Sequence, residues 1–269
     1  MKIVIKFIAI STIILFSSAL GAQQFSRYTS VVNTPTAFTI GHGTYQFGYK
    51  GYHEGGAEFK TSVGLTDILN IGVSFDIEHA VGQHKIRPHV PGVIAKIKFT
   101  DGTEMFPISV AAGYDSFYMG LTKETGGSGS EETEPAEWDD AITSPEGDKD
   151  SFYTYNQMIY GPYLVVTKPI YVLDEEQHIS FGIRTPVQPE YVPDDTSYFV
   201  SLDIPLGGYF ALKGEVERLY WNFSRLDQVL FNGGIRYNIF AKVGLELDII
   251  VEKEHGVNRV VRVEYTDEF

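Results

Sequence analysis

The sequence predicts an all-β fold, an antiparallel up-and-down transmembrane β-barrel of about twelve strands. Three observations predict it. Apolar and polar residues alternate with a period of two over many runs. A secretory leader is followed by no stretch apolar enough for a membrane helix. The connections between runs alternate between short and long.

The alternation is clearest from Leu69 to Glu78. Leu69, Ile71, Val73, Phe75 and Ile77 fall on one face, and Asn70, Gly72, Ser74, Asp76 and Glu78 on the other. Successive side chains of a strand point to opposite sides, so this is the pattern of a strand with lipid on one face and a polar lumen on the other. The run from Ala57 to Thr66 alternates likewise. So does the run from Val93 to Thr100, with Ile94, Lys96, Lys98 and Thr100 on its second face. A late run sets Ala241, Val243, Leu245, Leu247, Ile249 and Val251 against Lys242, Gly244, Glu246, Asp248, Ile250 and Glu252. Taken together the runs start near Thr44, Ala57, Leu69, Gly92, Met105, Gln157, Gln177, Ser197, Tyr209, Val229, Ala241 and Asn258. Runs of about 9–12 residues suit tilted membrane strands, and an even count suits a single-chain bacterial barrel.

Residues 1–22 read as a signal peptide. Lys2 and Lys6 precede an apolar run from Phe7 to about Phe16, and small residues lead to a cleavage site near Ala22. Residues 23–269 are then the barrel. No later segment has the roughly 18 consecutive apolar residues of a spanning helix, and lipid admits only helices and closed barrels. The expected location is therefore the outer membrane of a Gram-negative type cell, with the lipid bilayer as the main partner. The chain has no Cys, which excludes a thioether lipid anchor, disulfides and thiolate metal sites.

With the N-terminus in the periplasm, the short turns fall at Asp67-Ile68, Asp101-Gly102, Pro169–Glu176, Leu206–Gly208 and Phe240. The outer connections fall at 53–56, 79–91, 117–156, 186–196, 221–228 and 253–257. The longest, at about 117–156, is acidic. Residues 122–152 carry ten acids against Lys123 and Lys149, a composition that predicts a solvated loop. The whole chain has a formal charge of −14, and loss of Lys2 and Lys6 makes it more negative still. That balance points away from nucleic acid.

The inward face collects charges of both signs. The lumen-lining candidates are Glu58, Lys60, Asp76, Glu78, Lys96, Lys98, Arg184, Asp203, Lys213, Glu215, Arg236, Glu246, Asp248 and Arg262, with Lys50, Asp115, Glu217, Lys242 and Glu264 beside them. Opposite charges on neighbouring strands are favourable. Asp76 and Glu78 are expected beside Lys96 and Lys98, Asp203 between Arg184 and Lys213, and Glu246 and Asp248 between Arg236 and Arg262. Such an interior either braces a narrow barrel or lines a charge-selective channel.

Other chemistry is sparse, and no cofactor motif is present. His53, His79, His84, His89 and His255 fall in outer loops without a fixed metal-ligand pair. Asp139, Asp140, Glu146, Asp148 and Asp150 lack the full spacing of a calcium loop. A barrel-embedded lipid hydrolase would need a Ser beside an oriented base, and His178 with Ser180 is the best pair available. The weight falls on a non-enzymatic barrel, either a narrow porin-like channel or a structural envelope protein. Phe99, Phe106, Tyr237, Tyr265 and Phe269 are expected in an interfacial girdle. The terminal Phe269, preceded at alternate positions by Tyr265, Val263 and Val261 but also by Asp267, resembles the signal read by the barrel-assembly machinery. Oligomeric state is not encoded in any recognisable way.

Asn33-Thr34-Pro35-Thr36-Ala37, then Gly41 and Gly43, then the turn Gly64-Leu65-Thr66-Asp67, resemble the start of YjbH-like outer-membrane barrels. The resemblance covers roughly residues 30–115. It implies a barrel with a loose association with envelope or exopolysaccharide export, and it brings no catalytic residue. Asp67 suits a tight turn, and Pro35 keeps the segment before the first strand out of a ladder.

Overall fold

The computed structural model describes residues 27–52, 55–82, 86–89, 91–102, 106–118, 159–172, 175–185, 196–206, 208–220, 229–239, 242–252 and 256–269. The leader, most of the acidic loop, and His53, His84 and His255 lie outside the described residues.

Twelve long strands close into one barrel. They are β1 (Thr44–Tyr52), β2 (Gly56–Thr66), β3 (Leu69–Glu78), β5 (Gly92–Thr100), β6 (Ser109–Tyr118), β7 (Ile159–Val172), β8 (Glu175–Arg184), β9 (Ser197–Leu206), β10 (Phe210–Tyr220), β11 (Leu230–Ile239), β12 (Val243–Glu252) and β13 (Gly256–Glu268). A two-residue strand, β4 (Arg87–Pro88), pairs with the end of β3. All pairings are antiparallel between neighbours, and β1 pairs with both β2 and β13, which closes the cylinder. Closure leaves no strand edge, the condition for crossing lipid with strands. No described helix is long and apolar enough to span a membrane.

Burial is inverted relative to a water-soluble barrel. Val73, Val93, Phe181, Phe231, Leu247 and Ile249 are exposed on the outside, with Leu247 at 67%. Lys50, Glu58, Asp76, Lys96, Asp203, Lys213, Glu215, Arg236, Glu246 and Asp248 are buried on the inside. An apolar exterior around a charged interior is stable only when the outside solvent is hydrocarbon. Outward aromatics gather at the rim that carries the short turns. Tyr45 lies 6.1 Å from Tyr265 and 5.3 Å from Phe269, and Phe210 lies 4.9 Å from Tyr237. Phe99 and Phe106 are exposed at the same rim, so the five girdle residues fall where an interfacial belt belongs.

The turn at Pro169–Glu176 is corrected. β7 continues to Val172 and β8 starts at Glu175, so the connection is residues 173–174. The β6–β7 ladder ends at Ser109 opposite Thr167, so among the described ladders Pro169 is paired on its β8 side alone. Proline lacks a donor and is tolerated on such an edge, so Pro169 does not end the strand. The run expected from Met105 starts instead at Ser109. Pro107 has no N–H to give a ladder, and Ile108 N–H turns back to the Phe106 carbonyl at 2.8 Å.

Candidate functional site: a plugged lumen

All fourteen lumen-lining candidates lie on the inward face. What they surround is not an open channel. Residues 28–40, expected as a stretch before the first strand, fold back into the barrel and fill it. Tyr28, Val31, Val32, Asn33, Thr34, Thr36, Ala37, Phe38 and Ile40 are all buried.

The segment is a small hairpin. Ser30 bridges Pro35, Val31 N–H donates to the Thr34 carbonyl at 2.9 Å, and Thr36 N–H donates to the Thr29 carbonyl at 3.1 Å. Its tip meets Glu215 of β10. That carboxylate accepts the N–H groups of Val32, Asn33 and Thr34 at 2.9, 2.7 and 3.0 Å, and the Thr34 hydroxyl at 2.7 Å. Three successive N–H groups converging on one anion form a nest. Across the lumen, Lys96 of β5 donates its Nζ to the carbonyls of Thr29, Thr36 and Phe38 at 2.7, 3.0 and 3.2 Å. Lys213 donates to the Val31 carbonyl at 2.9 Å, Arg262 to that of Val32 at 2.5 Å, and Arg184 to that of Asn33 at 3.2 Å. Ala37 N–H donates to the Thr167 hydroxyl at 2.8 Å. The wall thus grips the hairpin from β5, β7, β8, β10 and β13, chiefly by its main chain.

Apolar contacts fill the remaining space. Ala37 packs among Ala111, Tyr163, Val165 and Phe199. Phe38 meets the edge of the His178 ring at 4.8 Å. The Tyr28 ring lies 4.1 Å from the Arg236 guanidinium and 4.8 Å from the Lys213 ammonium, within cation–π range. Burial pushes the Tyr28 phenol up to about 12 against the opposing pull of Arg236, so the ring stays neutral.

Behind the hairpin the charges pair in a chain. Glu246 accepts from Lys213 and Arg236, each at 2.6 Å, with Arg262 at 3.8 Å. Arg236 also reaches Glu264 at 2.8 Å, and Arg262 reaches Asp248 at 3.5 Å. The sequence expectation for Arg236, Glu246, Asp248 and Arg262 is met, because register places Arg236 and Arg262 on either side of Glu246. Elsewhere Lys50 pairs with Glu58 at 3.3 Å, and Arg184 lies 3.6 Å from Glu217 and 3.9 Å from Asp115.

Of the other expected groupings, one does not form and one forms only in half. Asp76 and Glu78 do not neighbour Lys96 and Lys98. The β3–β5 pairing sets Asn70 opposite Lys96 and Ser74 opposite Gly92, so the acids sit at the long-loop end and the lysines at the short-turn end. Asp76 instead accepts the Tyr52 hydroxyl at 2.8 Å, and His89 lies 3.1 Å from Glu78 and 3.6 Å from Asp76. Lys98 pairs with Asp101 at 2.7 Å. Asp203 does not join Arg184: register puts it opposite His178 and Lys213, with its carboxylate 3.6 Å from His178 Nδ1. The hydrolase pair is not assembled either. Ser180 shares a 2.8 Å hydrogen bond with Thr167, while His178 Nε2 lies 2.9 Å from Glu176. The outer histidines do not gather into a metal site among the described residues.

The motifs that carried the YjbH-like resemblance form one device. Thr34, Pro35, Thr36 and Ala37 are the hairpin, and the turn at Asp67 clamps its stem. Asp67 accepts His42 N–H at 3.0 Å with its carboxylate and the Thr39 hydroxyl at 2.7 Å with its carbonyl. Gly43 turns the chain into β1 at φ +74°. A Cβ on Gly64 would sit 2.0 Å from the Gly41 carbonyl oxygen and 2.8 Å from that of Ile40. Gly64→Ala should therefore displace the stem while the ladder stays intact. The expected result is about 1–3 kcal/mol of lost stability, the usual range for an overpacked site. Urea unfolding of the refolded barrel would measure it, and an unchanged midpoint would contradict the stem's placement.

One signal for the hairpin is present in the sequence. The inward positions include Ile94, Val165, Phe199, Leu230, Ile250 and Val260, all buried. A water-filled lumen gives such residues nothing to pack against.

A crevice of about 70 Å³ with a mixed polar and apolar lining remains beside the hairpin, on the β1–β2 side. Gln46, Lys50, Glu58, Lys60, Ser62 and Asn70 are among the residues that border it. It has room for a few waters.

No family model and no curated protein matches the chain. Among solved structures it is similar to the KdgM porin, at 9% identity and a TM-score of 0.48, over 82% of this chain and 98% of that one. It is similar to the outer membrane protein Omp33 of Acinetobacter baumannii, at 9% identity and 0.43, over 84% and 97%. The CymD monoaromatic hydrocarbon channel gives 11% identity and 0.38, over 86% and 89%.

Proposed function

We propose that the protein is a porin-like barrel of the outer membrane, a narrow and non-enzymatic passage constricted by its own N-terminal hairpin. The observation that carries this reading is the crevice between hairpin and wall. Charges of both signs border it, Lys50, Lys60 and Lys96 against Glu58 and Asp115, and its size suits water and small ions. The exposed C-terminal Phe269, which donates its N–H to the Gly43 carbonyl at 2.9 Å, is assigned the recognition by the assembly machinery. Residues 1–22 are assigned the export signal. A second reading, a structural or assembly-partner barrel of the envelope, is favoured by how completely the lumen is filled.

Conductance of the refolded mature protein in a planar bilayer separates the two. The channel reading expects small, discrete steps. It also expects Lys60→Glu, on the crevice, to shift ion preference toward cations by about twofold or more, through the change of local charge. A barrel that is folded by heat-modifiable mobility yet electrically silent would overturn the channel and leave the structural reading.

A further inference from the structure

The hairpin is held in an unusual way for part of a barrel. It adds no strand to the sheet: its one bridge, Ser30 to Pro35, is internal. The cylinder closes without it, through β1–β13 and β1–β2. Its polar grip comes from wall side chains acting on peptide groups. Glu215 takes three N–H groups, and Lys96, Lys213, Arg262 and Arg184 together take six carbonyl contacts. Charged side chains that read peptide dipoles form a binding site rather than a ladder. Each such contact has a replacement in water once the lumen floods, because the charged groups rehydrate.

We propose that the inner wall is a main-chain-binding site for a turn-forming peptide, and that residues 28–38 are its tethered, exchangeable ligand. Glu215 is the anion that selects a tight turn with converging N–H groups. Lys96 is the cation that selects the three carbonyls on the opposite side. Departure of the ligand widens the crevice into the lumen proper. The inference deepens the channel reading and rests on it only for the conductance that departure would produce.

The test uses the full mature chain, which has no native cysteine. Val32→Cys places one thiol at the buried tip; Val32 is 1% exposed and binds Glu215 through its N–H alone. The protein is refolded into liposomes, and labelling by a membrane-impermeant maleimide is timed. Heat-modifiable mobility checks that each sample is folded. The proposal expects slow labelling of Val32→Cys, accelerated at least tenfold when Glu215→Gln or Lys96→Met is added. The two second changes act from opposite sides of the hairpin, so one poorly folding variant leaves the other to decide. A folded barrel whose introduced thiol stays unlabelled in every background would overturn the proposal and make the hairpin a permanent part of the fold. Labelling at one rate in all backgrounds would overturn it too, since the wall contacts would then not hold the ligand. Conductance recorded on the same samples is an independent readout. Labelling with electrical silence would sink the channel reading and keep the exchangeable ligand.

Discussion

Replacing Glu246 by alanine will lower the stability of the barrel by about 3–5 kcal/mol, the cost of leaving buried charge uncompensated. Glu246 is 2% exposed and faces three cations: Lys213 and Arg236 at 2.6 Å and Arg262 at 3.8 Å. Removing it leaves Arg236 with Glu264, Arg262 with Asp248, and Lys213 with the carbonyl of Val31 and the Tyr28 ring. The same cations steady the hairpin through the Tyr28 ring and the carbonyls of Val31 and Val32. Loss of the anion therefore loosens wall and hairpin together. Glu246→Gln keeps the volume and one acceptor and will cost less than Glu246→Ala. Urea unfolding of the protein refolded in liposomes measures both. A Glu246→Ala loss below about 1 kcal/mol, the scale of an exposed ion pair, would mean that the cluster is solvated.

Val73→Arg will cost about 2–4 kcal/mol, the penalty for a cation near the bilayer midplane on a lipid face. Val73 is 58% exposed at mid-strand, between Thr61 and Val93 on the neighbouring strands. Ser74, one residue away, is the inward neighbour but a poor control. It is buried, and it would lie 2.4 Å from a Cβ on Gly92, so an arginine there meets packed wall rather than open lumen. Gln46→Arg, inward and on the crevice, is the better comparison; it gives up two long hydrogen bonds, with Thr29 at 3.3 Å and Thr266 at 3.4 Å, and will cost about 1 kcal/mol. Equal losses for Val73→Arg and Gln46→Arg would contradict the assigned faces.

Strand number and faces were legible in the residue order, and so was the alternation of short and long connections, although the Pro169–Glu176 turn proved much shorter than expected. Strand number and faces depend on a local rule: a strand between lipid and a polar interior alternates every second residue, and Val73 beside Ser74 states it without reference to the rest of the chain. Pairing was legible where few residues separate two strands, as between β11 and β12, whose register brought Arg236 and Glu246 together. It failed across the long loop at 79–91. Antiparallel strands separate residues close to the loop from residues far beyond it, and Asp76 ended up far from Lys96.

The hairpin was a matter for tertiary structure. Residues 28–40 carry no period, and their burial depends on a cavity that exists only after twelve distant strands have closed. Glu215 lies more than 180 residues from the N–H groups it accepts. By itself the sequence determined that this chain crosses a membrane as a barrel, because alternation and lipid solvation act residue by residue. Whether the lumen is open, and what its charges hold, was decided only by the closed fold, because a nest of three N–H groups and its anion come from opposite ends of the chain.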